Sequence, residues 1–290
     1  MKKHITWNME EQYIRGLAED GNNILTSCCN DAQTAFLYLY ILYLAIVLLI
    51  GDTSLCKPIR LLATAVHEIS HAQMCICTGG DVHKMEVYNN TGGVTYYRGG
   101  CRCLIAPAGY LGEAFWGMVF TILSGGRKTA TFAAGGLILA LLLSLCYRPN
   151  KVLVILTLAY VVLLASFIAL EWRYTDEDTP ILTYLILLFG VFLGTYAITD
   201  ITSHLIIHTR HGSDAYAAYE ETGRSRCCPP KCFGLWWLLW AIAFQIIGLF
   251  IALILMSEEC QDEGWLECVF HSRFDLEWKE FDWWPFDFDQ

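Results

Sequence analysis

LLATAVHEISHAQMCICTGG, residues 61–80, is an apolar stretch that carries His67, Glu68 and His71 near its centre. A charged side chain in the middle of a membrane-spanning helix costs about 2.5–3.5 kcal/mol, so ionisable residues in such a segment are expected to serve a function. Three of them within five residues need a chemical explanation.

The composition of the whole chain is that of a membrane protein. Of its 290 residues, 55% are hydrophobic and only 17% are charged, and its mean hydropathy is +0.41. These values are too apolar for a soluble globular protein. We therefore expect an all-α polytopic membrane protein.

Seven apolar runs have the length that a membrane-spanning helix needs, which is about 20 residues for a hydrocarbon core of roughly 30 Å. The glycine-flanked loop 79–102 follows the second run and is predicted to form a short β-hairpin. The sequence thus predicts about seven transmembrane helices, at approximately 33–51, 58–78, 103–124, 131–147, 152–171, 181–208 and 233–256.

Three segments differ in composition: a polar N-terminal segment 1–32, a transmembrane domain 33–256, and an acidic, aromatic tail 257–290 with eleven carboxylates. The N-terminal segment lacks the apolar core of a cleavable signal peptide. With seven spans, 12 of the 19 Lys and Arg residues fall on the side of the N-terminus. The positive-inside rule then places the N-terminus in the cytosol and the tail on the opposite side.

The HExxH spacing of His67, Glu68 and His71 explains the polar centre of the second span. Residues i and i+4 lie on one helix face, so both imidazoles can bind a single Zn²⁺ ion. Glu68 is placed to take a proton from metal-bound water and to donate it to the leaving amine. The pattern is expected by chance in only about 1% of chains of this composition.

A catalytic zinc ion needs a third protein ligand and an open position for water. The candidates inside the spans are Glu113, Asp200 and His204. Residue counts from the expected cytosolic ends put Asp200 at the depth of His71, which favours Asp200. His204 either orients Asp200 or is itself the ligand, and Glu113 is the weaker candidate. Alternatively, Asp200 only pairs with His204 one turn along the same helix.

Two further segments could contact a substrate. The stretch GGVTYYRGG (92–100) could hold an unwound peptide by strand addition through Gly92, Gly93, Val94 and Thr95. Pro107 can interrupt the third span beside the site. Alternatively, residues 92–100 form only an ordinary connecting hairpin. The alternative for Pro107 is a role in close helix packing only.

Four sequence blocks occur in one order: HEISHAQMCICTGG (67–80), GGVTYYRGG (92–100), LIAPAGYLGEAFWG (104–117) and FGVFLGTYAITDI (189–201). Together they resemble the site-2-protease-like intramembrane zinc metalloproteases over about residues 60–215. The resemblance implies that His67, His71 and Asp200 bind zinc and that Glu68 activates water. It also implies that a peptide bond is hydrolysed within or near the bilayer.

We accordingly expect a zinc-dependent endopeptidase whose partners are a membrane-spanning protein substrate and the lipid bilayer, and no nucleic acid. The sequence leaves the oligomeric state and the substrate undefined. One alternative is a catalytically silent adaptor or chaperone of the same fold that binds membrane proteins, and another is a metal transporter. The intact Glu68 favours the enzyme, because a structural zinc site has no use for a base.

Overall fold

The computed structural model describes residues 31–174, 181–207, 213–221 and 229–256. The chain divides into two compact units, one of residues 35–252 and one that combines 1–34 with 253–290. The description below concerns the first unit. Apart from residues 31 and 32, the predicted N-terminal segment 1–32 and the acidic tail 257–290 lie outside the described residues.

The described part of the chain is mainly helical, with one small hairpin. A short 3₁₀ turn, Ser54–Cys56, precedes α2, and a π-helical segment, Ile201–Ile207, continues α6. In chain order the elements are α1 (Asp31–Ile50), α2 (Lys57–Cys77), β1 (Asp81–Val87), β2 (Gly93–Arg98), α3 (Arg102–Leu123), α4 (Arg127–Ser144), α5 (Lys151–Tyr174), α6 (Ile181–Asp200), α7 (Asp214–Glu221) and α8 (Pro230–Leu255).

Six described helices are long and apolar enough to cross a membrane, namely α1, α3, α4, α5, α6 with its π-helical continuation, and α8. The predicted fold class, a polytopic all-α membrane protein, is confirmed. The predicted second span does form a helix, α2, but its composition does not reach that of a membrane span. The polar residues of the HExxH pattern lower its hydropathy, and α2 is instead buried, with Leu62, Ala63 and Cys75 fully inaccessible.

Small residues bring α3 and α6 into near-backbone contact. A Cβ atom on Gly117 would lie 2.6 Å from the backbone nitrogen of Gly194, and one on Gly190 would lie 2.6 Å from the backbone nitrogen of Thr121. Such close approach through small residues is a common way for helices to associate in membranes, where apolar burial provides little driving force.

The predicted β-hairpin is present as an antiparallel β1–β2 pair, with a bulge between Val82 and Lys84. The outer edge of β1 is bonded to the segment between α4 and α5. Met85 donates its N–H to the carbonyl of Tyr147 at 2.8 Å, and the Asn150 side chain donates to the carbonyl of Val87 at 2.7 Å. The outer edge of β1 is therefore already occupied.

A buried ion pair joins the ends of α4, α5 and α6. Arg127 Nε lies 3.3 Å from Oε1 of Glu171, whose side chain is fully inaccessible to solvent. Oε2 of the same carboxylate accepts a 3.0 Å hydrogen bond from the backbone N–H of Leu182, in the first turn of α6. Glu171 therefore caps the N-terminus of α6, which stabilises the helix through one of its otherwise unpaired N–H groups.

Candidate metal centre and active site

Three potential metal ligands converge at the junction of α2 and α7. His67 and His71 lie one turn apart on α2, and Asp214 is the first residue of α7. The two Nε2 atoms are 3.1 Å apart. Oδ2 of Asp214 lies 3.2 Å from Nε2 of His67 and 3.4 Å from Nε2 of His71.

These spacings fit a tetrahedral zinc site. Ligand atoms that each lie 2.0–2.1 Å from a tetrahedral ion are separated from one another by about 3.3 Å. The three observed separations, 3.1, 3.2 and 3.4 Å, bracket that value. Two imidazole nitrogens and one carboxylate oxygen are also a donor set that catalytic zinc uses, with the fourth position left for water.

The backbone of α3 fixes the tautomer of His71. Nδ1 of His71 lies 2.7 Å from the carbonyl oxygen of Ile105 and must donate its hydrogen there, since a carbonyl can only accept. The neutral ring then carries its lone pair on Nε2, the atom that faces His67 and Asp214. A second hydrogen bond of this kind typically orients a metal-binding histidine.

His67 contacts two side chains of α3, those of Glu113 and Tyr110. Its Nδ1 lies 3.7 Å from Oε2 of Glu113, a side chain that is only 2% exposed. The ring of Tyr110 meets the His67 ring edge-on, with centroids 4.5 Å apart. Glu113 therefore supplies a negative charge behind His67 without reaching the group of three ligand atoms, and Tyr110 limits the rotation of the ring.

Gly109 allows α3 to pass directly against both imidazoles. A Cβ atom at this position would overlap Nε2 of His67 and Nε2 of His71. A residue with any side chain would have to push the histidines away from the positions that they hold. Gly109 is the first glycine of the block APAGYLG. Because it has no side chain, it leaves room for the two histidines to face each other.

Asp214 is held by the way α7 begins and packs. Ser213 precedes the helix and accepts hydrogen bonds from the backbone N–H groups of Tyr216 and Ala217, both at 2.9 Å. Ala215 and Ala218 are buried against α3, α6 and α8, in a cluster that includes Ala106, Tyr110, Ile201, Leu205, Trp237 and Ala241. Burial raises the pKa of Asp214, but His71 and His67 outweigh this effect, so the pKa lies well below its usual range. A carboxylate is the form of aspartate that binds a metal ion.

Glu68 lies beside the ligands and is held by the hairpin. The hydroxyl of Thr95 donates to Oε2 of Glu68 at 2.7 Å, and Glu68 is 4% exposed. A Cβ atom on Gly93 would lie 2.5–2.9 Å from three atoms of the Glu68 side chain. The sequence G-V-T of β2 therefore positions the candidate base through one close approach and one hydrogen bond.

A cavity of about 650 Å³ joins these groups. The three ligands and Glu68 line it, as do Gly92, Gly93, Val94 and Thr95, four of the five residues predicted to contact a substrate. Pro107, the fifth, lies inside α3 and is not among the described residues that line the cavity.

The structure does not bring Asp200 into the group of ligand atoms. Its Oδ1 lies 3.3 Å from Nε2 of His204, one turn away. Asp200 and His204 line the cavity, but the described cluster that could hold an ion consists of His67, His71 and Asp214. The geometry therefore supports Asp214 as third ligand in place of the predicted Asp200, and Asp200 pairs with His204 as in the alternative interpretation.

Asp214 is not among the candidates from the sequence, because all of these lie inside the apolar runs. The stretch HGSDAYAAYEE (211–221) is polar enough to be taken for a connecting loop. The signal that could have found it is a serine before an aspartate and a run of small, helix-favouring residues, which is typical of a capped helix start.

Comparison with known proteins identifies a family. Residues 39–248 match the family model described as Peptidase M50B-like, which confirms the resemblance to site-2-protease-like enzymes. No curated protein and no solved structure matches the chain. The matched range contains all the described residues that line the cavity.

Proposed function

Since the chain belongs to the Peptidase M50B-like family of membrane proteases, we propose that it is a zinc-dependent intramembrane endopeptidase that cleaves membrane-anchored proteins. The observation that carries the proposal is the set of three ligand atoms, 3.1–3.4 Å apart, in a cavity that also contains Glu68. An adaptor that only binds other proteins would need neither the ligands nor the base.

In this proposal His67, His71 and Asp214 hold the zinc ion. When bound, zinc polarises the peptide carbonyl and lowers the pKa of a water molecule at its open position. Glu68 accepts the proton of the attacking water and returns it to the nitrogen of the leaving amine. Thr95 keeps Glu68 directed at the cavity through its 2.7 Å hydrogen bond.

We propose that the substrate enters as an extended segment beside β2. The outer edge of β1 is already bonded to Tyr147 and Asn150, whereas Gly93, Val94 and Thr95 of β2 line the cavity. An unwound transmembrane segment exposes backbone N–H and C=O groups that lipid cannot satisfy. Strand addition to β2 would supply those partners next to Glu68.

For the topology we propose a cytosolic N-terminus and a C-terminal tail on the opposite side of the membrane. This rests on the excess of Lys and Arg on the N-terminal side in the sequence. This topology requires that α2 also crosses the membrane, although it is less apolar than the six helices named above.

The experiment is cleavage of a single-span model protein by the detergent-purified, zinc-loaded enzyme. Wild type is compared with Glu68→Gln, which removes the base and leaves the ligands, and with Asp81→Asn, an exposed carboxylate on β1 outside the cavity. We expect cleavage by wild type and Asp81→Asn. We expect Glu68→Gln to bind zinc normally and to lose almost all activity.

If the zinc-loaded wild type cleaves none of a panel of single-span substrates, or if Glu68→Gln cleaves as fast as wild type, the protease proposal fails. Substrate capture without cleavage by both proteins would favour the adaptor instead.

A further inference from the structure

We propose that Cys101 and Cys103 form a redox-active dithiol, which a low-molecular-weight disulfide such as glutathione disulfide oxidises reversibly to a disulfide within the chain. The pair lies at the start of α3, and neither cysteine is among the described residues that line the cavity. The inference goes beyond the proposed function and does not rest on it. It gives a role to the pattern C-R-C (101–103), which the metal centre does not use.

The two sulfur atoms are closer than a shared metal ion would place them. Both cysteines are free, and their Sγ atoms are 2.7 Å apart. Two thiolates that bind one zinc ion at about 2.3 Å are separated by about 3.8 Å in tetrahedral geometry. The S–S bond of a disulfide is about 2.05 Å long, so the observed separation exceeds it by only a fraction of an ångström. The spacing therefore favours a disulfide over a metal site.

The contact depends on where α3 begins. Side chains at positions i and i+2 of a regular helix do not face each other. Cys101 is the residue before the helix, and its backbone is extended, with φ −91° and ψ 98°. Its side chain can therefore turn back onto Cys103 in the first turn.

The backbone that leads into α3 holds Cys101 in this position. Gly99 and Gly100 have φ values of +78° and +74°, a conformation that glycine adopts without steric cost. Cys101 donates its N–H to the hydroxyl of Thr78 at 3.0 Å, and its carbonyl accepts the N–H of Ile105 at 3.0 Å. Both backbone groups of Cys101 are thus bonded, and the two thiols are held together by the fold.

The pair is accessible to a water-soluble reagent. Cys103 is exposed and Cys101 is half-buried. The side chain of Arg102, between them, is 69% exposed and lies 3.7 Å from Glu221. Because a guanidinium is costly in lipid, the start of α3 is expected to face polar surroundings.

Cys101 is the thiol that reacts first. The contact with Cys103 lowers the pKa of the Cys101 thiol, and backbone N–H groups in the first turn of α3 act in the same direction. The thiolate is the form that attacks a disulfide. A larger fraction of Cys101 is therefore in the reactive form than is usual for an exposed cysteine.

The exchange has two steps. The Cys101 thiolate attacks one sulfur of the reagent, which forms a mixed disulfide and releases one thiolate. Cys103, after losing its proton, attacks Sγ of Cys101 and releases the second thiolate. The two cysteines lose two electrons and two protons in total, and the reagent disulfide is reduced to two thiols. An exposed disulfide across so short a loop gains little stability from the fold, so excess thiol reduces it again.

The test is a redox titration of the detergent-purified full chain in buffers of varied glutathione to glutathione disulfide ratio. Samples are quenched with a thiol-alkylating reagent, digested with chymotrypsin and measured by mass spectrometry. The peptide 98–104, RGGCRCL, contains both cysteines and no other. We expect it to lose both alkyl groups together, with two hydrogens, and to regain them after dithiothreitol. Cys77, an exposed thiol on α2, should still be alkylated when the pair is half oxidised.

Single substitutions separate the two steps. Cys101→Ser and Cys103→Ser each leave one thiol in the peptide, with no neighbour to release a bound glutathione. Each variant is expected to accumulate the glutathione adduct, which wild type should not retain. Cys77→Ser makes the same chemical change at another exposed cysteine and should leave the transition of peptide 98–104 as in wild type.

Full alkylation of the wild-type peptide up to the ratio that modifies Cys77 would overturn the inference. Glutathione retained on the wild-type peptide, or a disulfide to a second copy of the chain, would also overturn it, because the two thiols would then not react with each other. A fatty acyl thioester on either cysteine in protein purified from membranes would assign the pair to lipid attachment instead.

Discussion

Oδ2 of Asp214 lies 3.2 Å from Nε2 of His67, although the two residues are 147 positions apart in the chain. The contact joins the short helix α7 to α2, the buried helix that carries the HExxH pattern. The candidate metal centre thus includes a residue of a helix that lies between two membrane spans in sequence rather than a third residue within a span. Its formation depends on the docking of α7 against α3, α6 and α8.

Replacement of Gly109 by alanine is expected to abolish zinc binding without unfolding the protein. The added Cβ atom would overlap the Nε2 atoms of both His67 and His71, so the ligands would have to separate. The measurement is zinc content by mass spectrometry, together with thermal unfolding in detergent.

The matched control for this substitution is Gly136→Ala on α4, where a Cβ atom would meet no atom within 4 Å. It makes the same chemical change and should keep a full complement of zinc. Normal zinc content in Gly109→Ala would show that α3 can withdraw from the histidines, and the close approach would then not be a requirement of the site.

Thr95→Val is expected to lower kcat by about 10–100-fold, the usual cost of removing a group that orients a metal-site residue. Valine keeps the shape of threonine but removes the hydroxyl that donates to Glu68 at 2.7 Å. Zinc content should not change, since Thr95 is not among the ligands. Steady-state cleavage of the model substrate provides the rate, and Thr95→Ser should restore most of it. An unaffected rate in the valine variant would remove Thr95 from the account.

Glu171→Ala is expected to destabilise the protein by about 3–5 kcal/mol, the range for removing one partner of a buried ion pair. The change removes the carboxylate that faces Arg127 and the acceptor at the start of α6. Denaturant unfolding in detergent measures the loss. Adding Arg127→Met should recover part of it, because the guanidinium is then no longer buried without this carboxylate. If the double variant is less stable than Glu171→Ala, the pair is not the source of the loss.

Removal of zinc by a chelator is expected to lower the melting temperature of the wild type. A ligand present at a thousand times its Kd stabilises the native state by about 4 kcal/mol, and here the bound ion would tie α7 to α2. Asp214→Ala should show no such shift, since it lacks the third ligand. A shift of equal size in Asp214→Ala would mean that zinc stabilises the protein at some other site.

We could predict four features from the sequence: the membrane class, the helices at the predicted spans, the hairpin and the HExxH residues. Long apolar runs are a strong signal because every span must satisfy its backbone groups internally. α2 is the exception to this signal, because the polar residues of the HExxH pattern lower its hydropathy below that of a membrane span. A helix can be buried by its neighbours without meeting the composition of a span exposed to lipid.

The position of Asp214 beside His67 and His71 could not be predicted, for a geometric reason. Asp200 and His71 lie at equal depth if their helices run parallel, but a segment between spans can also fold into the helical bundle and reach the same depth. Sequence position gives no distance between α7 and α2, which depends on the packing of Ala215 and Ala218 against other helices. Glu113 was recognised as a candidate near the metal, and its place behind His67 became apparent only from the 3.7 Å separation.

The most direct test of the central claim is the zinc content of the purified protein in wild type, Asp214→Ala and Asp200→Ala, measured by mass spectrometry at equal protein concentration. The account predicts about one zinc ion per chain in wild type, almost none in Asp214→Ala, and a value close to wild type in Asp200→Ala. Full zinc content in Asp214→Ala together with its loss in Asp200→Ala would contradict the account and return the third ligand to α6.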